Sequence, residues 1–372
     1  MKGGVVLIIA AMITYLVAVG CAIWPSDSAG AKQTGSVVEL ENPNTPPAAK
    51  YEGLPYRGIV LQVQRIDSPE VYERAIDQIA GTGADTVEIV VDSKQENGSS
   101  SVIFIDVRMS PTLEKLIALI QYAKSKKLRV VLMPIVLLER PNGNEWRGTI
   151  KPESWDNWFE SYREMVTHYA TAAEAAHVDV FLVGSELVST ERYREEWLRT
   201  ISDARHIYHG LLSYSANWDH YQKIPFWDHL DIISTNSYYK LGENKDVSVD
   251  EIVSRWRVIQ KDLLPWVRGQ HKPYMFTEVG WCSVGNAADE PWDYTKDAIP
   301  IDLDLQKKLY EGFFRSWYGV PELGGFMIWQ WTPNAGGPRD RGYTPEGKPA
   351  ERVLREWLGK PRWRVNFAPA PS

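Results

Sequence analysis

The chain has 372 residues with 41 Lys+Arg against 48 Asp+Glu, a formal net charge of −7. That balance argues against a nucleic-acid protein, which would carry a clustered basic face. Its two cysteines, Cys21 and Cys282, exclude a disulfide scaffold and any multi-Cys zinc or iron–sulfur centre. Apolar content of 44% and charged content of 24% fit a well-cored globular protein. Sixteen Trp stand against nine Phe, an excess of wide flat rings that points to stacking surfaces as well as core.

Residues 3–26 hold no charge, follow Lys2, and are almost wholly apolar over 5–19. This reads as a cleaved secretory signal, a lipoprotein signal or an uncleaved membrane anchor spanning 1–24. Ala18-Val19-Gly20-Cys21 resembles a bacterial lipoprotein cleavage site, with Ala18 where the pattern prefers Leu. Residues 25–50 hold four prolines among Ser, Thr, Ala and Gly, a tether that cannot build a core. All three readings export the protein to the cell envelope or beyond, and any membrane contact runs through this segment alone.

From residue 51 onward short β-rich runs alternate with amphipathic helical ones. Strands are expected at 58–64, 86–91, 129–136, 178–185, 211–217, 232–237, 274–278 and 325–330, most of them apolar throughout, as strands buried on both faces are. Ser68-Pro69 and Ser110-Pro111 read as a cap followed by proline at the first helical position. Further helices are expected at 155–175, 191–208, 249–267, 303–318 and 349–358, while the fifth connection, 218–230, is short. Eight such alternations predict an α/β fold, a (β/α)8 TIM barrel over 51–360, with 361–372 as a loose Pro-rich tail. An open doubly wound sheet would show a Gly-rich turn after the first strand, and Gln62-Val63-Gln64-Arg65 has none.

In a barrel of this kind the site lies at the C-terminal strand ends. Glu186 ends the fourth predicted strand and Glu278 the seventh, so the fold brings them to face each other across the mouth. Two carboxylates in one pocket suit glycosidic bond cleavage: one is held protonated for the leaving oxygen, the other ionised against the anomeric carbon. A separation of about 5–5.5 Å serves a retaining mechanism and roughly 6.5–9.5 Å an inverting one. Trp146, Trp218, Trp281, Trp292, Trp329 and Trp331 fall at or just beyond strand ends, a ring on which apolar sugar faces stack.

Gly184-Ser185-Glu186-Leu187, Tyr214-Ser215-Ala216-Asn217-Trp218-Asp219-His220-Tyr221, Thr277-Glu278-Val279-Gly280 and Trp329-Gln330-Trp331 resemble glycoside hydrolase family 113. So do Trp146-Arg147-Gly148 with the following Trp158-Phe159-Glu160-Ser161-Tyr162, and Pro345-Glu346-Gly347-Lys348-Pro349-Ala350; the likeness runs in order over 57–358. The resemblance implies a clan A barrel of the retaining endo-β-1,4-mannanase type. It makes Glu186 the acid/base, Glu278 the nucleophile, Tyr238 the hydroxyl that bonds the nucleophile, and Trp329 (or its neighbour Trp331) the floor of the reacting sugar. Ser185 stands where most clan members place Asn, the second strand lacks the arginine many put under the nucleophile, and the third strand's end is apolar at Met133, Ile135 and Leu137.

Asn217, Trp218, Trp281, Trp146 and His220 complete the expected substrate contacts, Asn217 toward the sugar 2-hydroxyl. The seven His show no metal-binding spacing, and no metal or cofactor is implied. Cys282 reads as a buried inert thiol, and Glu88 as pointing into the barrel with an internal hydrogen bond. The expected function is a monomeric, retaining glycoside hydrolase on a β-linked polysaccharide or oligosaccharide, most of all β-1,4-mannan. The alternatives are another β-glycan or a non-catalytic carbohydrate-binding barrel at the envelope. The net −7 favours a neutral glycan over an acidic one.

Overall fold

The computed structural model describes residues 51–64, 68–243, 246–293 and 298–367. The segments expected at 1–24 and 25–50 lie outside the described residues. Among the described residues nine strands form: β1 (Tyr56–Val63), β2 (Thr86–Gln95), β3 (Ile103–Phe104), β4 (Arg129–Leu138), β5 (Val180–Ser185), β6 (Leu211–Ala216), β7 (Ile233–Asn236), β8 (Tyr274–Val279) and β9 (Leu323–Ile328). Eight of them pair in parallel in the order β1-β2-β4-β5-β6-β7-β8-β9. The β1–β2 and β1–β9 registers (Gly58↔Thr86, Tyr56↔Gly325) close the sheet on itself, giving the (β/α)8 barrel. The exception, β3, is a two-residue antiparallel addition to β2.

Among the described residues seven helices cover the barrel: α1 (Pro69–Gly81), α2 (Leu113–Ser125), α3 (Trp155–Ala175), α4 (Arg194–Ile207), α5 (Val249–Gly269), α6 (Leu303–Trp317) and α7 (Pro349–Leu358). Inward side chains of alternate strand positions, among them Val60, Val90, Val131, Met133, Leu182, Met275 and Met327, fill the barrel interior, while the outward set packs under the helices.

Several boundaries shift by a few residues from expectation, and three of the differences have a clear local reason. α2 starts two residues late: the Thr112 hydroxyl caps it by accepting from the Lys115 N–H, while the Ser110 hydroxyl donates instead to the Asp92 carbonyl at 2.6 Å. α4 starts at Arg194 because a separate 3-10 turn, Val188–Thr190, precedes it. The expected loose tail is packed as far as residue 367. The Trp363 indole donates to the Leu323 carbonyl at 2.9 Å, its ring stacks near Phe326, and Phe367 meets Tyr51 edge to face. A wide apolar ring next to the barrel's N-terminal rim is better buried than solvated.

Candidate active site

Glu186 follows the last residue of β5 and takes φ +55°, a left-handed conformation that an L-residue adopts only where its surroundings hold it. Its N–H donates to the Ser215 carbonyl at 2.8 Å, and the next N–H, of Leu187, donates to the Tyr214 hydroxyl at 2.8 Å. The carboxylate is thereby turned into the mouth. Arg147 donates to Oε2 at 2.5 Å, and the Asn236 side-chain amide donates to Oε1. Asn236 ends β7; its amide also donates to the Asn217 side-chain oxygen Oδ1 at 2.9 Å, and its own side-chain oxygen accepts from the Trp218 N–H at 2.8 Å. Both Glu186 oxygens are acceptors here, so giving a proton to a leaving group requires one of these bonds to yield.

Glu278, on β8, is 2% exposed. The Tyr238 hydroxyl donates to its Oε2 at 2.7 Å, while Oε1 is buried with no hydrogen-bond partner among the described residues. Burial first, and then the charge of Glu186, push its pKa up to about 8 against the downward pull of Arg147 and of the Tyr238 bond. Burial also raises the Tyr238 phenol, as does the neighbouring Glu278 charge, so Tyr238 keeps its proton and acts as a donor. Just past Glu278, a Cβ on Gly280 would lie 2.0 Å from the Trp329 carbonyl oxygen; only glycine lets β8 pass this close to the end of β9.

The profile of the family described as Glycoside Hydrolase Family 113 matches residues 67–348. The chain belongs to glycoside hydrolase family 113. A solved GH113 β-1,4-mannanase aligns at 26% identity and TM-score 0.74, covering 83% of this chain and 99% of that one. The GH113 β-mannanase AaManA from Alicyclobacillus acidocaldarius, solved in complex with ManMIm, aligns with the same identity and TM-score, over 83% of this chain and 98% of its own. A β-glucuronidase from Ruminococcus gnavus shares the fold at 13% identity and TM-score 0.57, over 82% of this chain and 50% of that one. No curated protein sequence matches. Family membership makes the protein a glycoside hydrolase.

Within this GH113 barrel the expected residues divide. Glu186, Glu278, Tyr238, Asn217 and Trp218 share one connected cluster through Asn236 and Arg147. Trp329 is half-buried beside the barrel interior. Trp146 is 40% exposed on the loop after β4, lying over Gly148, where a Cβ would meet its ring at 2.3 Å. His220 is partly exposed, with Nδ1 2.7 Å from the Asp219 carboxylate.

Trp281 and Trp331 are not platforms. Trp281 is fully buried, edge-on to Tyr310; Trp331 is 1% exposed, its indole N–H donating to Gln78 of α1 at 3.0 Å. Sequence position put them at strand ends, but a ring beyond a strand end can turn toward the helices as easily as toward the mouth. Glu88 does lie inside the barrel, fully buried, yet neither oxygen has a hydrogen-bond partner among the described residues. Burial raises its pKa well above the carboxylate range, with Glu278 adding to the effect, so it sits there as a neutral acid. Cys282 is buried as expected.

Three residues escaped the sequence reading. Arg147 sat inside a recognised segment and Asn236 ended a predicted strand, but nothing in either position says that it meets Glu186. Glu191 accepts from the Tyr214 hydroxyl at 2.9 Å, and burial is the main cause raising its carboxyl to about 7. Only the turn after β5 brings it under the site.

Proposed function

We propose that the protein is a retaining hydrolase of β-1,4-mannan, with Glu278 as nucleophile and Glu186 as acid/base. The observation that carries this reading is the pair of buried carboxylates ending β5 and β8, with Tyr238 holding one oxygen of Glu278. The Tyr238 bond orients Oε2 and leaves Oε1 with free lone pairs to attack the anomeric carbon. Glu186 gives its proton to the glycosidic oxygen as that bond breaks, leaving a glycosyl ester on Glu278. The ester carries no charge to repel Glu186, which then takes a proton from water as the water cleaves the ester. Near neutrality the pair holds one proton, because burial and then the charge of Glu186 keep it on Glu278. For turnover that proton must pass from Glu278 to Glu186, where the leaving oxygen takes it.

Family relatives named as β-1,4-mannanases at 26% identity support mannan as the substrate. The test is hydrolysis of mannan, glucomannan, xylan and β-glucan, with NMR of the first-formed anomer and Glu278→Gln alongside. Release of the β-anomer from mannan is expected; initial α-product overturns retention, and preference for another glycan overturns mannan. A Glu278→Gln protein with the wild-type rate overturns the nucleophile.

We further propose that the protein is exported and held at the envelope, either by a lipid on Cys21 or by the uncleaved apolar segment. The uncharged run before a Pro-rich tether supports this. Cell fractionation of wild type and Cys21→Ser tests it: release of the variant into the soluble fraction supports lipidation, retention supports the segment, and a wild-type cytoplasmic pool overturns both.

A further inference from the structure

On the side of the mouth facing away from Glu186, a cleft of about 370 Å³ opens between the end of β1, the first turn of α1 and the segment after β9. That volume is within the range of small-ligand pockets. Gln62, Gln64, Ser68, Gln330 and Asn334 give it polar walls, with Tyr72 among its apolar ones.

Two of these amides are fixed from behind by one carboxylate. Gln62 lies on β1 and Gln64 follows directly after its last residue, and both side chains reach the same carboxylate. The Gln62 amide donates to Asp92 Oδ1 at 2.9 Å and the Gln64 amide to Oδ2 at 2.8 Å. Asp92 is 1% exposed, with Lys94 Nζ 3.7 Å from Oδ2, and its carbonyl accepts from the Ser110 hydroxyl at 2.6 Å and the Tyr169 hydroxyl at 3.4 Å. The carboxylate is therefore held, and it commits the NH2 end of both amides. Their carbonyl oxygens remain, without partners among the described residues. Bonds to a charged acceptor polarise each amide and make its oxygen a stronger acceptor for a hydroxyl.

Such paired, preset acceptors match a ring bearing several hydroxyls. Strand order then gives the ring's place along the substrate. Glu186 follows β5, while the cleft lies at β9 and β1, across the barrel from β5 and one to two strands beyond the strand of Glu278. The leaving group must sit on the Glu186 side, because Glu186 protonates its oxygen. We propose that the Gln62–Asp92–Gln64 clamp forms a sugar subsite for the glycone chain, the part of the substrate on the far side of the cleaved bond. This rests on the assignment of Glu186 as acid and of a β-linked glycan as substrate.

The test uses the full-length protein and aryl β-glycosides bearing one, two or three β-1,4-linked mannose units, so that the leaving group never changes. The kcat/KM of the wild type is expected to rise with glycone length. In Asp92→Asn, and independently in the double variant Gln62→Ala/Gln64→Ala, that rise should shrink about tenfold at one step, the worth of one or two hydrogen bonds. The double variant alters only half-buried residues, so it answers the question even if Asp92→Asn folds poorly. A rise with glycone length equal to the wild type's in both variants overturns the subsite. Wild-type turnover of the aryl β-cello-oligosaccharides in place of the manno series overturns mannan alone; the same length ratio read there still decides the clamp.

Discussion

Arg147 donates to Glu186 at 2.5 Å from the loop after β4, and the same cation lowers the proton affinity of Glu278. One guanidinium thus bears on both carboxylates from a loop, where the second strand offers Val87, Ile89 and a neutral Glu88 instead of an arginine. Arg147→Met keeps the aliphatic stem and removes the charge. Since Arg147 acts downward on Glu278, its loss moves Glu278 above about 8, and the pH–rate profile should shift upward with it. The expected fall in kcat/KM at neutral pH is about 10- to 100-fold, the scale of a charge-assisted bond. An unshifted profile would show that the cation acts elsewhere.

Tyr238→Phe removes the hydroxyl that donates to Glu278 Oε2 while keeping the ring. The charged form of Glu278 loses a bond of about 1.5–3 kcal/mol, so kcat should drop roughly tenfold to a hundredfold while Tm stays within about 2 °C. Steady-state kinetics with thermal melts separates this from a folding defect.

The raised pKa of Glu278 also fixes a direction for stability. The native state holds this proton up to about pH 8, the unfolded state only to about 4.5. Between those values the native form binds more protons, so stability is fully present below the lower value and falls as pH rises toward 8. Glu278→Gln has no such proton to hold. Its Tm advantage over wild type should therefore grow from pH 5 to pH 8 and then level off, which a melt series reads directly. A constant difference would place the proton elsewhere.

Glu88 is a buried acid whose two oxygens have no hydrogen-bond partner among the described residues, with Val60, Val90 and Val131 around it. Glu88→Met resembles the neighbouring Met133 and Met275 and removes an uncompensated polar group. Stability at pH 7 should rise by about 1 kcal/mol, or roughly 2 °C in Tm. A lower Tm would mean that the acid is held by a partner such as a buried water.

The tryptophans separate by burial. Trp331→Ala empties a packed site and should lower stability by about 3–5 kcal/mol. Trp329→Ala changes a half-buried ring at the mouth and should instead raise KM for long substrates, with a smaller loss of stability. Parallel melts and kinetics on the two variants test the division.

The sequence alone determined the barrel and the two carboxylates. Strands buried on both faces are read directly as apolar runs, and helices against them as amphipathic stripes, because both patterns are periodic along the chain. Once eight such units close, the ends of β5 and β8 must look into one mouth, so Glu186 and Glu278 follow from connectivity alone. What surrounds them did not follow. Asn236 and Arg147 reach Glu186 through contacts between residues far apart in sequence, and the Gln62–Asp92–Gln64 clamp joins two strands whose pairing register sets it. Whether Trp281 and Trp331 point to solvent or to the helices depends on the space left by Tyr310 and α1. Side-chain direction beyond a strand end has no period, and only the packed tertiary structure decided it.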